Sequence, residues 1–263
     1  MKNIFFIACL SLSLFACKEE KKETQTEQEI SPAVTKNLEE NKNDSIAVMP
    51  VEHASFAIEL NQKTFYFDPV GGSEKFSTLP KPDIIFVTDI HPDHLNPETL
   101  TEFVDKDSTL TIVCPQAVKD QLPTHIQKNA EVISNGEKKS WLGVEVEAIP
   151  MYNLREEALK YHAKGRGNGY VLNANQKRIY VSGDTEDIPE MRHLKDIDIA
   201  FVCMNLPYTM PVEAAADAVL DFKPKKVYPY HYRGKEKMSD PKQFKNIVTT
   251  NNPAIKVEIL DWY

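Results

Sequence analysis

The chain has 263 residues, 39 acidic against 31 basic, and a formal net charge of -8. That acidic balance excludes a phosphate-backbone binder, which needs a basic stripe, so nucleic acid is not an expected partner. Hydrophobic residues at 41% and charged residues at 27% are ordinary for a globular protein able to bury a sizeable core.

The first residues are not expected to join the fold. Lys2 supplies a positive charge, and the apolar run 4–15 is too short to span a bilayer as a stable helix. With the small residue Ala16 before Cys17, it reads as a secretory signal. Leu14-Phe15-Ala16-Cys17 resembles the lipobox of bacterial lipoproteins. The resemblance implies cleavage after residue 16, lipidation of Cys17, and a place in the cell envelope on the periplasmic or outer-surface side. From Lys18 the sequence is Lys, Glu, Gln, Thr and Asn with few large apolar residues. Such a segment buries too little surface to offset its ordering entropy, so 17–45 is expected to be a lipidated tether and 46–263 the folded domain.

Strand-like runs follow at 46–51, 55–60 and 64–68, the last two joined by the turn-forming Asn61-Gln62. Further strands are expected at 84–88, 110–114, 132–134, 144–149, 170–172, 178–182, 197–204, 226–230 and 255–260. Helical spacing marks 97–104, 115–121, 212–222 and 241–249, most clearly where Val212, Ala215, Ala216, Val219 and Phe222 recur. A block of strands and then strands alternating with helices suggests sheets covered by helices. Cys114 and Cys203 lie in apolar strand-like runs and are expected to stay free and buried.

The segment Thr88-Asp89-Ile90-His91-Pro92-Asp93-His94 ends an apolar strand with four metal-capable side chains in six residues. Pro92 disfavours the helical region for His91, so the chain stays extended through Asp89 and His91 and both side chains fall on one side. Asn96 caps the next helix and Pro97 opens it. Asp184 follows a strand through Gly183, which permits close backbone approach. His231 follows the run Val227-Tyr228-Pro229-Tyr230. His162 precedes a glycine-dense segment, Lys164 to Gly169, expected to be a loop able to fold over a ligand. Metal-capable residues at several strand ends point to one shared rim.

Thr88 to His94, Ser182-Gly183-Asp184-Thr185 and Tyr228-Pro229-Tyr230-His231-Tyr232 resemble the metallo-β-lactamase-fold hydrolases. His53-Ala54-Ser55-Phe56 and Phe67-Asp68-Pro69 look like early strand motifs of the branch containing ascorbate-phosphate lactonase and the N-acyl-phosphatidylethanolamine phospholipase D-like enzymes. The resemblance implies an α/β protein, a four-layer αββα sandwich, with two divalent cations at one edge. Zn²⁺ leads the candidates, with Mn²⁺ or Fe²⁺ as alternatives. By position, Asp89, His91 and His162 would hold one ion, Asp93, His94 and His231 the other, and Asp184 would bridge. A hydroxide held by both ions would attack an ester, lactone, amide or phosphodiester centre of a small-molecule or lipid substrate. Asp93 would also orient that hydroxide, and His53 or Tyr208 could protonate the leaving group.

The family has histidine where this chain has Asp89. Asp89, Asp93 and Asp184 with one hydroxide cancel two divalent cations, whereas a histidine at 89 leaves a net positive charge. The aspartate is therefore expected to weaken Lewis acidity, and to make the ion beside it weakly held or not zinc. Arg166, Asn205, Tyr208 and Arg233 lie near these ligands in sequence and could hold substrate. Tyr152, Tyr161 and Phe76 read as core or cavity wall, and His125 and His193 as surface. The alternatives to a hydrolase are an iron-dependent oxygenase on the same fold and a lipoprotein that binds metal or ligand without turnover.

Overall fold

A computed structural model describes residues 46–263; the expected signal, the lipidation site Cys17 and the tether lie outside the described residues. A six-stranded sheet is built in sequence order from β1 (Ala47–Glu52), β2 (Ser55–Leu60), β3 (Lys63–Phe67), β4 (Ile84–Phe86), β5 (Thr111–Cys114) and β6 (Ala130–Val132). The first three strands are antiparallel and the rest run parallel. A seven-stranded sheet repeats this plan with β7 (Lys138–Trp141), β8 (Val144–Met151), β9 (Gly167–Ala174), β10 (Lys177–Val181), β11 (Ile199–Cys203), β12 (Lys226–Tyr230) and β13 (Lys256–Val257). Here β7 to β10 are antiparallel and β10 to β13 parallel.

Alternation along the strands explains the layering, because successive side chains point to opposite faces. Phe56, Ile58, Phe65, Phe67, Ile84 and Phe86 enter one core with Val146, Tyr170, Leu172 and Ile179 of the second sheet. The residues between them, Ala57, Tyr66, Ile85 and Val87, join a separate core with Leu100, Phe103 and Val104. Those three lie on α1 (Pro97–Lys106), which packs on the outer face of the first sheet with the short α2 (Gln116–Lys119) nearby. A single-turn α3 (Pro189–Arg192) and two longer helices, α4 (Val212–Phe222) and α5 (Pro241–Asn251), follow strands of the second sheet. They bury Met191, Ala215, Ala216, Val219, Phe222, Phe244 and Val248. The result is the expected helix–sheet–sheet–helix sandwich. Phe56 is its aromatic centre, stacked on Phe67 and Phe201 at centroid distances of 4.7 and 4.5 Å, with Trp262 edge-on.

Several boundaries differ from the sequence expectation. Of the segment Lys164 to Gly169, expected to be a glycine loop over a ligand, residues 164–166 form a turn and Gly167 to Gly169 begin β9. A Cβ on Gly169 would come within 2.9 Å of the Val181 and Ser182 carbonyl oxygens, and one on Gly167 within 2.9 Å of the Thr88 carbonyl oxygen. These glycines let backbones approach closely. Strand β7, with Lys138, Lys139 and Ser140 exposed, carries no hydrophobic alternation and was not expected. The last expected strand shrinks to Lys256–Val257. Cys114 and Cys203 are free and buried, as expected.

Candidate metal centre

The parallel strands end at one edge of the sandwich, and the chemistry-bearing residues lie just past those ends. Asp68 follows β3, Asp89 to His94 follow β4, Asp184 follows β10 and His231 follows β12. Asn96 accepts from the Thr99 amide at 2.8 Å and caps α1, fixing the turn that carries Asp93 and His94. Gly183 has φ 60°, and a Cβ there would meet the Met151 sulfur at 2.6 Å, so glycine is required beside Asp184.

The structure brings all seven expected ligand residues together. His94 Nε2 is 3.3 Å from Asp184 Oδ2, His162 Nε2 is 3.2 Å from the same oxygen, and His231 Nε2 is 3.2 Å from Asp184 Oδ1. The His94 and His231 Nε2 atoms are 3.1 Å apart, and Asp93 lies 3.6 Å from His231 and 3.9 Å from His94. On the other side, His91 Nδ1 is 2.8 Å and His162 Nε2 3.9 Å from Asp89 Oδ2. A tetrahedral ion with nitrogen and oxygen ligands spaces its ligand atoms by about 3.3 Å, close to the distances around Asp184. His162 Nε2 and Asp184 Oδ1 are buried without a hydrogen-bond partner among the described residues. These donors fit a cation.

The far nitrogens of His94 and His162 are fixed as metal ligands require, whereas His231 Nδ1 is buried with no hydrogen-bond partner among the described residues. His94 Nδ1 lies 2.7 Å from Asp68 Oδ2, and Asp68 also accepts from the Thr88 amide and hydroxyl, both at 2.7 Å. With Nδ1 donating to Asp68, Nε2 is the nitrogen that faces the cluster. His162 Nδ1 donates to the Tyr208 carbonyl at 3.1 Å and leaves its Nε2 free in the same way. Burial opposes a charge on His94, but Asp184, Asp68 and Asp93 outweigh it and raise its pKa well above the ordinary value. The field that holds a proton there would equally hold a cation. Burial pushes His231 down to about 3, so its ring is neutral near pH 7.

Three residues around this half have left-handed backbones: His53 at φ 58°, Asp68 at φ 43° and His231 at φ 47°. Such conformations cost on the order of 1–3 kcal/mol each and persist where surrounding contacts over-determine them. His53 is held in that way. Its Nδ1 lies 2.8 Å from the Tyr263 hydroxyl, its Nε2 3.2 Å from Asp93 Oδ2, and its ring 3.9 Å from that of His231. It therefore stands behind Asp93.

A cavity of about 350 Å³ opens over the cluster, bordered by Asp93, His162, Asp184, Asn205, Tyr161 and Tyr208. Tyr161 was expected in core or wall and is wall, while Tyr152 and Phe76 are core. His125 and His193 are exposed. Arg233 pairs with Glu52 and stacks on Tyr263.

Sequence reasoning missed two partners. Asp68 was noted only as part of a motif, yet it orients His94. Arg166, weighed as a substrate group, grips Asp89 instead: Nε donates to Oδ1 at 3.0 Å and Nη2 to Oδ2 at 2.7 Å. Burial alone would raise the Asp89 pKa, but hydrogen bonds from His91 and Arg166 outweigh it and hold Asp89 ionised. The charge balance drawn from Asp89 alone is thereby corrected, because the guanidinium cancels the carboxylate that replaces histidine.

Two sheets between helices, with histidines and aspartates gathered past the strand ends, define a metallo-β-lactamase-type sandwich. The chain belongs to the β-lactamase superfamily domain family, whose sequence profile matches residues 54–232. It is 26% identical over 219 residues to a UPF0173 metal-dependent hydrolase of Methanopyrus kandleri, covering 80% of this chain and 94% of the relative. A solved protein of Parabacteroides distasonis, named provisionally as a metal-dependent hydrolase, is 36% identical with a TM-score of 0.70. That match covers 81% of this chain and 92% of the other. CmlA, a diiron β-hydroxylase from Streptomyces venezuelae, shares the fold at 17% identity with a TM-score of 0.62, over 83% of this chain and 53% of its own.

Proposed function

We propose that the chain is a metal-dependent hydrolase acting on an ester, lactone or phosphodiester in the cavity over Asp184. The observation that carries this reading is the convergence of the His94, His162 and His231 Nε2 atoms on the two oxygens of one buried aspartate. His94, His231, Asp184 and Asp93 would hold one ion, with His162, His91 and Asp89 facing a second position. A bound ion would polarise the substrate oxygen and acidify a water.

The chain's own groups supply the rest. Asp93 has 41% of its side chain exposed and stands at the cavity wall, placed to accept a proton from the attacking water. His53 keeps it there, with Tyr263 donating to Nδ1 and Nε2 donating to Asp93. His53 thus positions the carboxylate, and Tyr208 on the cavity wall is the better placed leaving-group acid. Tyr161 and Tyr208, with ring centroids 5.1 Å apart, form an aromatic wall suited to an apolar or ring-bearing substrate portion. The lipobox-like Leu14-Phe15-Ala16-Cys17 supports attachment to the cell envelope and a lipid or envelope metabolite as substrate.

The test is a panel of chromogenic esters, lactones and phosphodiesters with metal-loaded protein. We expect turnover of at least one class, abolished by Asp184→Ala. Metal-loaded protein that hydrolyses none of them, or hydrolysis that survives Asp184→Ala, contradicts the reading. Oxygen uptake without hydrolysis would favour the oxygenase alternative.

A further inference from the structure

We propose that Arg166 occupies, in charge, the role of a second metal ion, so that the chain carries one tightly held cation at His94, Asp184 and His231. This rests on the metal-dependent reading above. The carboxylate best placed to hold a second ion beside His91 and His162 belongs to Asp89, and it is already engaged. Arg166 meets both of its oxygens in a bidentate fork, the geometry in which guanidinium and carboxylate match best. Asp89 Oδ2 also faces His91 Nδ1 at 2.8 Å, so the acceptor positions of that oxygen are taken twice over.

Arg166 is built into this place. Its Nη2 also donates to the Tyr161 carbonyl, and Asp89 is fully buried while the arginine side chain is 20% exposed. A guanidinium keeps its charge at all working pH values, so this cation does not leave. The other half of the cluster differs in kind. Behind His94 stands a carboxylate, Asp68, with no basic side chain among its hydrogen-bond partners other than His94 itself. One half is thus enriched in negative charge, and the other carries its own fixed positive charge. A divalent ion entering beside Asp89 would meet a guanidinium within a few ångströms, in a setting where like charges repel strongly. Arg166 thereby supplies permanent positive charge at one end of the cavity, and the exchangeable cation sits at the other.

The experiment measures zinc and manganese bound per chain after dialysis against a mild chelator, by elemental analysis, with competition titration for affinity. We expect one retained equivalent in the natural chain. Arg166→Gln should retain close to two, or bind the second ion about tenfold or more tightly. Because a lone buried Asp89 could unfold the protein, the pair variant Asp89→His with Arg166→Gln removes both charges together and should also hold two. Two chelator-resistant equivalents in the natural chain, or no gain in either variant, overturn the proposal while leaving the hydrolase reading standing. No retained metal in any form overturns both.

Discussion

Asp68 and Asp89 are both buried aspartates just past the ends of neighbouring parallel strands, yet they serve opposite ends of the cluster. Asp68 accepts from Thr88 twice and from His94, and burial raises its pKa. It works through another residue, aiming His94 at the cation position. Asp89 is gripped by Arg166 and kept ionised despite burial. Both carboxylates face an imidazole, His94 for Asp68 and His91 for Asp89; the difference is the guanidinium of Arg166, which neutralises Asp89 and has no counterpart among the hydrogen-bond partners of Asp68.

The comparison can be broken by mutation. The largest effect is expected from Asp184→Ala, which removes the oxygens shared by both halves; metal content by elemental analysis should fall to background. Asp68→Asn should weaken the His94-side ion by about 10–100-fold, the usual loss when a carboxylate behind a ligating histidine is replaced. Competition with a chromogenic chelator measures this. Asp89→Asn acts differently, because it leaves Arg166 without its charged partner. We expect a loss of about 3 kcal/mol in denaturant unfolding of metal-free protein, with the His94-side affinity kept within a few-fold. Tyr263→Phe removes the hydroxyl that fixes His53 and should cost about 1 kcal/mol in the same assay. The smallest effect is expected at the thiols. Burial pushes Cys114 and Cys203 up to about 12, so both stay protonated at pH 8. Peptide mapping after iodoacetamide treatment of folded protein should find neither labelled, and both labelled after denaturation.

What the sequence disclosed follows from how local each signal is. His91, Asp93, His94, Asp184 and His231 stand just past strand ends with a proline or glycine within two residues, and a strand end is visible in a short window. The strand-like run 64–68 was legible in the same way, but that Phe65 and Phe67 enter one core and Tyr66 another shows only in the folded sheet. Arg166 was opaque because it lies 77 residues from Asp89 and nothing around it announces that partner. Asp68 was opaque for the same reason, since its bond to His94 exists only once β3 and β4 are paired. Gly167 and Gly169 misled because glycine weakens strands in general, and only the approach of the Thr88 and Ser182 carbonyls shows why it is needed here. Strand β7 escaped notice because its exposed lysines lie on a sheet edge, where charge guards against unwanted pairing.

The most direct test of the metal centre is anomalous diffraction from crystals of the natural protein, collected across the zinc, iron and manganese edges. The account predicts a strong peak among the His94 Nε2, His231 Nε2 and Asp184 oxygens, with any density beside Asp89 weaker. A featureless map at that position, or a peak confined to the space between Asp89 and His162, would contradict it.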